Sequence, residues 1–312
     1  MNSLKIIKNH FISSIITSQS LSKKKNNKTN VIKIFIIRFF FAFPFIRNFV
    51  LHKKNFIKVT SQEYFFSETN NKTIIDELIN IGFHKNKLKE EIINEIINLF
   101  QNNDFTYKYK NPNKDYVSEI PNNLNLNEII KESSKRKISH LMISFDQNKK
   151  NILNEMAKSN FFLSVAKNYL NSTKVTLRTH CYITNPIEIN EQEKKDNAQY
   201  FHYDCDYKKF LKIFIYLTDV DVNSGPHVFI PFSHTKKKLK HLCAERLDDE
   251  IIDQNYKENG KEIFIGEKGA IIFEDTFGFH KGVTPINKSR ALLILEYGIP
   301  PRIEIDGNEI DV

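Results

Sequence analysis

His202 and Asp204 stand two positions apart in Tyr200-Phe201-His202-Tyr203-Asp204. In a strand, residues i and i+2 point to the same face, so an imidazole and a carboxylate here could bind one cation side by side. The pair alone is a weak signal, because a hydrogen-bonded surface pair has the same spacing. A second imidazole, His280, lies in Glu274-Asp275-Thr276-Phe277-Gly278-Phe279-His280-Lys281-Gly282, just after a predicted strand that begins at Gly269. Two histidines and one carboxylate on one face of a metal form the donor set of non-haem iron(II) oxygenases, with three positions left for substrate oxygens and O₂. Arg290 follows ten residues later, in a chain with few arginines. Residues 284–289 (TPINKS) read as a turn, and a hairpin there would lay Arg290 on the strand next to His280. A guanidinium grips a carboxylate with two parallel hydrogen bonds and stays charged at any working pH. Such a group could hold the far carboxylate of 2-oxoglutarate while its keto-acid end chelates iron. For Arg290 taken singly, a salt bridge at the core edge is the alternative.

Other residues carry less. Lys212, Phe214 and Tyr216 alternate on one face of the next strand and could line a 2-oxoglutarate pocket or simply fill a barrel. His227 and His234 could stand behind metal ligands, or be ordinary buried or turn histidines. Arg178 could meet an acidic substrate. Cys205 reads as a small half-buried thiol, and Asp206 as an unlikely extra ligand.

These residues need rigid elements to hold them. Beyond about residue 173, short β-branched and aromatic runs alternate with turn clusters: 174–184, 198–204, 210–220, 227–232, 262–266, 269–275 and 289–297. Seven such runs predict a mainly β barrel or sandwich. Upstream, residues 71–100 show apolar residues at helical spacing, with a break between two helices at Gly82. Residues 104–127 read as loop and 151–171 as a helix. Residues 235–262 are polar and charged and predict a helical insertion at the barrel mouth, a place for a lid. The expected organisation is a basic apolar arm (1–60), a mainly helical flanking region (61–172), a β catalytic core (173–300) and an acidic tail (301–312).

The chain has 312 residues and a net charge of +9. Its first 60 residues hold 10 Lys, 2 Arg and no acid, a charge of +12, which leaves the remaining 252 at −3. The basic character therefore belongs to the arm, and a nucleic-acid partner is not expected. Residues 31–51 are apolar and aromatic but carry Lys33, Arg38, Arg47 and Pro44. The plain reading is an arm that packs on the domain or is disordered; contact with a membrane surface suits the segment better than a span, and the Ser-rich, acid-free residues 1–30 would also suit a cleaved targeting peptide. Cys181, Cys205 and Cys243 form no CxxC pair, which argues against a disulfide scaffold or cysteine zinc site and suits a reducing, cytoplasmic setting.

The stretch 200–234 (YFHYDCDYKKFLKIFIYLTDVDVNSGPHVFIPFSH) resembles the phytanoyl-CoA dioxygenase family, with its H-x-D, hydrophobic strand, acidic turn ending in Gly-Pro, and Pro-x-Ser-His. Residues 266–297 are similar to the family's second half. The resemblance implies a double-stranded β-helix, a jelly-roll or cupin-like barrel backed by helices. It implies Fe(II) held by His202, Asp204 and His280, 2-oxoglutarate anchored by Arg290, O₂ as oxidant, and hydroxylation of a small organic or lipid-like substrate. Two departures stand out. The family's Pro-Gly-Ser-His turn reads Pro231-Phe232-Ser233-His234, and Tyr203 replaces a frequent Gln. The carboxylate that related halogenases give up is kept as Asp204. Two rival readings remain: a non-catalytic membrane-surface binding protein on the same barrel, and a cupin-like metal enzyme that does not use 2-oxoglutarate.

Overall fold

A computed structural model describes residues 71–102, 105–109, 120–121, 123–205, 207–242, 246–300 and 310–312, with Lys8, Phe11, Phe39, Phe40, Phe43, Ile46, Phe65 and Phe66. The expected arm, including most of the segment 31–51, lies outside the described residues, as do Asp206, Cys243 and most of the tail.

The first described stretch runs α1 (Asn71–Asn80), β1 (Phe83–Lys87), α2 (Glu90–Asn98), β2 (Phe105–Tyr109), α3 (Leu126–Lys135), β3 (His140–Phe145), α4 (Ile152–Ala157) and α5 (Asn160–Leu170). In α2, Ile92, Ile93 and Ile96 share one buried side, as their spacing requires. Asn125 and Glu128 cap α3 reciprocally, each side chain bonding the other's backbone N–H. Three strands lie in the region expected to be mainly helical. Gly82, at φ +96°, turns the chain out of α1 and into β1 rather than into a second helix. β1 then pairs with residues 270–274, so tertiary pairing overrides the weak local preference of FHKNK. Residues 105–109, expected as loop, form β2 for the same reason, on the edge of β3. The helix expected over 151–171 is two helices, because Ser159 caps a second start at Phe162 N–H.

The remainder runs β4 (Thr176–Thr184), α6 (Glu191–Asp196), β5 (Phe210–Tyr216), β6 (His227–Phe229), α7 (Asp249–Tyr256), β7 (Glu262–Phe264), β8 (Ala270–Glu274), β9 (His280–Gly282), β10 (Arg290–Gly298) and β11 (Ile310–Asp311). The large sheet has the order β1-β8-β5-β10-β4-β3-β2, with β11 also on β4, and the small sheet β7-β6-β9. An antiparallel bridge between His202 and His280 adds the H-x-D segment beside β9. Strands β8, β5, β10 and β4 thus face β7, β6, β9 and the bridged segment, all antiparallel. This is a double-stranded β-helix with flanking helices.

Both faces of the large sheet are buried, so its strands read as continuous apolar runs. Leu293, Leu295, Ile213, Ile215, Ile271 and Phe273 face the helices in the main core. Leu292, Ile294, Phe214, Tyr216 and Ile272 face the barrel interior. Alternation also sorts the small sheet. His202, His280 and His227 point inward, while Phe201, Phe279 and Val228 point outward. Leu247, Ile252 and Tyr256 cover that outward face. The described residues of the insertion 235–262 therefore buttress the small sheet from outside, where a lid at the mouth was expected. The physical reason is that the outward face of the small sheet is apolar and must be covered. Among the described residues, no helix is long and apolar enough to cross a membrane.

Candidate metal centre

His202, Asp204 and His280 converge, with one ligand-capable atom from each lying within 4.8 Å of the others. Asp204 Oδ1 is 3.7 Å from His202 Nε2, and Asp204 Oδ2 is 3.5 Å from His280 Nε2. The donor set fits a metal ion. Donors about 2.1 Å from a common ion at right angles lie roughly 3 Å apart, so only a small closure is needed. Both imidazoles are also oriented for it. His202 Nδ1 donates to Tyr200 O and His280 Nδ1 to Gly278 O, each at 3.0 Å, which leaves both Nε2 lone pairs facing the site. Burial holds both rings neutral, well below the usual histidine range for His202, where His280 adds to the effect. Burial pushes the Asp204 carboxyl up, but the Lys212 ammonium beside it pulls harder and keeps it ionised.

The loops that carry these ligands are braced from behind. Ser233 Oγ accepts from Phe279 N–H at 2.7 Å and donates to Ile230 O at 2.6 Å, so the Pro-x-Ser-His turn clamps the strand leading to His280. Tyr169 of α5 donates to Asp275, whose other oxygen accepts from Phe277 N–H. Lys237 is 9% exposed, donates to Phe277 O at 2.7 Å, and sits 4.0 Å from the Phe279 ring and 4.3 Å from Tyr203. It fixes the insertion to the backs of the ligand loops.

Arg290 reaches the interior by a different route from the expected hairpin. β10 pairs with β4 and β5 in the large sheet, whereas β9 pairs with β6 in the small one. The turn at 284–289 therefore crosses between sheets, and Arg290 faces β9 across the barrel. A Cβ added at Gly282 would lie 3.1 Å from Arg290 Nη2, so the glycine leaves space for the guanidinium. Nη1 donates to Gly225 O, and Nε is buried with no hydrogen-bond partner. Arg290 is 4% exposed and has no carboxylate partner among the described residues. Burial lowers its pKa while the Tyr216 hydroxyl nearby raises it. A buried cation left in this state is costly and calls for an anion. The salt bridge weighed as its alternative is not formed.

Tyr216 borders this end of the barrel. Its hydroxyl donates to Phe264 O at 2.7 Å and accepts from His227 N–H at 3.2 Å. Lys212 lies at the other end, donating to Asp204 Oδ2 at 2.7 Å. Arg178 is buried 3.8 Å from Glu296 and is not on the surface. His227 Nε2 meets Glu274 Oε2 at 2.9 Å, with its ring 5.5 Å from that of His280. Burial pulls His227 down to about 3 and pushes Glu274 up to about 8, so the neutral acid donates to the neutral imidazole. His234 bonds Ile79 O at 3.1 Å and ties α1 to the barrel, away from the ligands. Sequence reasoning missed Glu274 and Glu296. Both were visible as acids inside otherwise apolar runs, AIIFE and RALLILEY, as Lys212 is in FLKIFIY.

The fold and the site together define a double-stranded β-helix carrying two imidazoles and a carboxylate at one metal-sized focus. Comparison with known proteins gives similarity at the level of fold. The epimerase SnoN, solved in complex with Fe3+, alpha ketoglutarate and nogalamycin RO, is 12% identical with a TM-score of 0.48, over 73% of this chain and 83% of that one. EctD from S. alaskensis is 14% identical with a TM-score of 0.49, over 80% and 86%. HygX from Streptomyces hygroscopicus, solved with nickel, 2-oxoglutarate and hygromycin B, is 11% identical with a TM-score of 0.45, over 72% and 86%. No family model matches the chain, and neither does any curated protein.

Proposed function

We propose that the chain is an Fe(II)- and 2-oxoglutarate-dependent dioxygenase that hydroxylates a small organic or lipid-like molecule, akin to the phytanoyl-CoA dioxygenases. The observation that carries this reading is Arg290, a buried guanidinium without a carboxylate partner among the described residues, in the same barrel interior as the His202, Asp204 and His280 cluster. The metal would be held by His202 Nε2, His280 Nε2 and an Asp204 oxygen. When bound, iron and 2-oxoglutarate supply O₂ activation coupled to conversion of the keto acid to succinate and CO₂. Arg290 orients the co-substrate through its 5-carboxylate, with Tyr216 beside it. Phe214, Ile272, Leu292 and Ile294 give the barrel interior an apolar lining, which would strengthen that ion pair and keep water from the oxidant. The basic, apolar arm would serve membrane-surface contact or targeting without forming part of the site.

Titration calorimetry of 2-oxoglutarate into the anaerobic Fe(II)-loaded protein tests this. Wild type is expected to bind saturably and only with iron. Arg290→Ala is expected to lose roughly 100-fold in affinity, the size of a lost charge-assisted bidentate contact. Equal affinity in both proteins would overturn the assignment and favour a metal enzyme that does not use 2-oxoglutarate.

A further inference from the structure

We infer that Lys212 is the positioning residue that makes Asp204 a one-oxygen ligand and thereby keeps a coordination position of the metal open. This rests on the metal-centre reading above and adds a role for a residue that does not touch the metal.

Four charged or ionisable residues form one row across the interior face of the large sheet. Arg178 on β4 is the register partner of Glu296 on β10, Glu296 of Lys212 on β5, and Lys212 of Glu274 on β8. Glu296 is buried and stands 3.8 Å from both Arg178 Nη1 and Lys212 Nζ. An ammonium on a four-carbon stem that is only 13% exposed, as Lys212 is, is costly to desolvate and to fix in one rotamer. The row offsets that cost, with Glu296 facing Lys212 from one side and Asp204 from the other. The ammonium is held at a single place, 2.7 Å from Asp204 Oδ2.

The two oxygens of Asp204 are thereby made unequal. Each faces one ring nitrogen, Oδ1 that of His202 at 3.7 Å and Oδ2 that of His280 at 3.5 Å, but only Oδ2 carries the Lys212 ammonium. Oδ2 is already an acceptor for Lys212. A carboxylate that chelates through both oxygens, together with two imidazoles, takes four positions of an octahedral ion and leaves two. A carboxylate bound through one oxygen takes one and leaves three. The third is the position that O₂ needs once a keto acid has taken two. A cation beside the ligand also repels the metal, so Lys212 gives up some metal affinity to keep the ligand in this mode.

The test uses Mn(II) as probe on the full chain, without 2-oxoglutarate. Water-proton relaxation counts the waters on the bound ion. Wild type is expected to show three, and Lys212→Met two, lowering relaxivity per bound ion by roughly a third at equal or tighter Mn(II) affinity. Lys212→Arg, which keeps a cationic donor, should restore three. Lys212→Gln is too short to reach Asp204 but can still bond Glu296, and it should behave as the methionine variant if that one does not fold. The same relaxivity in wild type, Lys212→Met and Lys212→Gln would overturn the inference. Failure of the wild type to bind Mn(II) at all would instead sink the metal-centre reading.

Discussion

Each histidine of the cluster gives its Nδ1–H to a carbonyl two residues back, Tyr200 for His202 and Gly278 for His280. A shared local contact thus sets both tautomers. Behind them, the neutral His227–Glu274 pair sets a pH dependence. Glu274 rises from 4.5 to about 8 on folding, so the native state binds more protons than the unfolded chain between those values. Its contribution to stability is complete below 4.5 and is lost as pH rises through 8, at up to about 1.4 kcal/mol per pH unit. His227 falls from 6.5 to about 3, so its contribution is complete above 6.5 and is lost as pH falls through 3. In urea denaturation of the metal-free protein at pH 5.5 and 7.5, wild type should lose more stability between the two than Glu274→Gln, whose amide keeps the hydrogen bond without titrating. Equal losses would mean that Glu274 is ionised in the folded state. At this scale the sequence pointed to the three side chains that the fold brings together, because period-two spacing and residue type are local. It was silent on Glu274, whose partner lies 47 positions away on the opposite sheet.

At the scale of elements, the turn 231–234 shows how a missing glycine is tolerated. Phe232 stands where the resembling family has Gly, and it adopts φ +64°, the left-handed region that glycine favours. The surroundings impose this: Phe232 N–H bonds Ile81 O, and Ser233 grips Phe279 N–H. Left-handed backbone costs a bulky residue about 1 kcal/mol or more. Phe232→Gly should therefore be more stable than Phe232→Ala by about 1 kcal/mol in chemical denaturation, since both remove the ring and only one removes the strain. A more stable alanine variant would show the turn to be relaxed. The buttress offers a second check. Tyr256 is buried against Phe279, with ring centroids 5.3 Å apart, and its hydroxyl bonds His241 at 3.0 Å. Tyr256→Ala is expected to cost about 3 kcal/mol of stability and to weaken metal binding through the His280 loop. An unchanged metal affinity would confine the insertion to a covering role. Strand existence was legible here from β-branched and aromatic runs set between turn clusters, but strand partnership was not. The turn before Arg290 looked like a hairpin and is a crossing between sheets, because sequence adjacency favours neighbouring strands and a double-stranded β-helix breaks that rule.

At the scale of the molecule, the site is built from strands between β4 and β10, and the first 60 residues supply none of its described groups. Deleting residues 1–60 should leave iron and 2-oxoglutarate affinity unchanged within about twofold by calorimetry. A larger loss would bring the arm into the site. Because the site exists only in the folded chain, metal at 100 times its dissociation constant should stabilise the protein by about 2.7 kcal/mol, and a chelator should remove that gain in a thermal melt. The barrel was legible as seven short runs, since each run carries its own apolar pattern. The extra strands β1, β2 and β3 were hidden among helices, because their pairing partners are up to 191 positions distant and their own residues do not demand a sheet. The central claim is that one interior holds both a metal and a keto acid. Absorption spectroscopy of the anaerobic protein with Fe(II) and 2-oxoglutarate tests it most directly. A weak visible charge-transfer band is expected in wild type, lost in His202→Ala and needing far more 2-oxoglutarate in Arg290→Ala. Iron binding with no such band at saturating 2-oxoglutarate would contradict it.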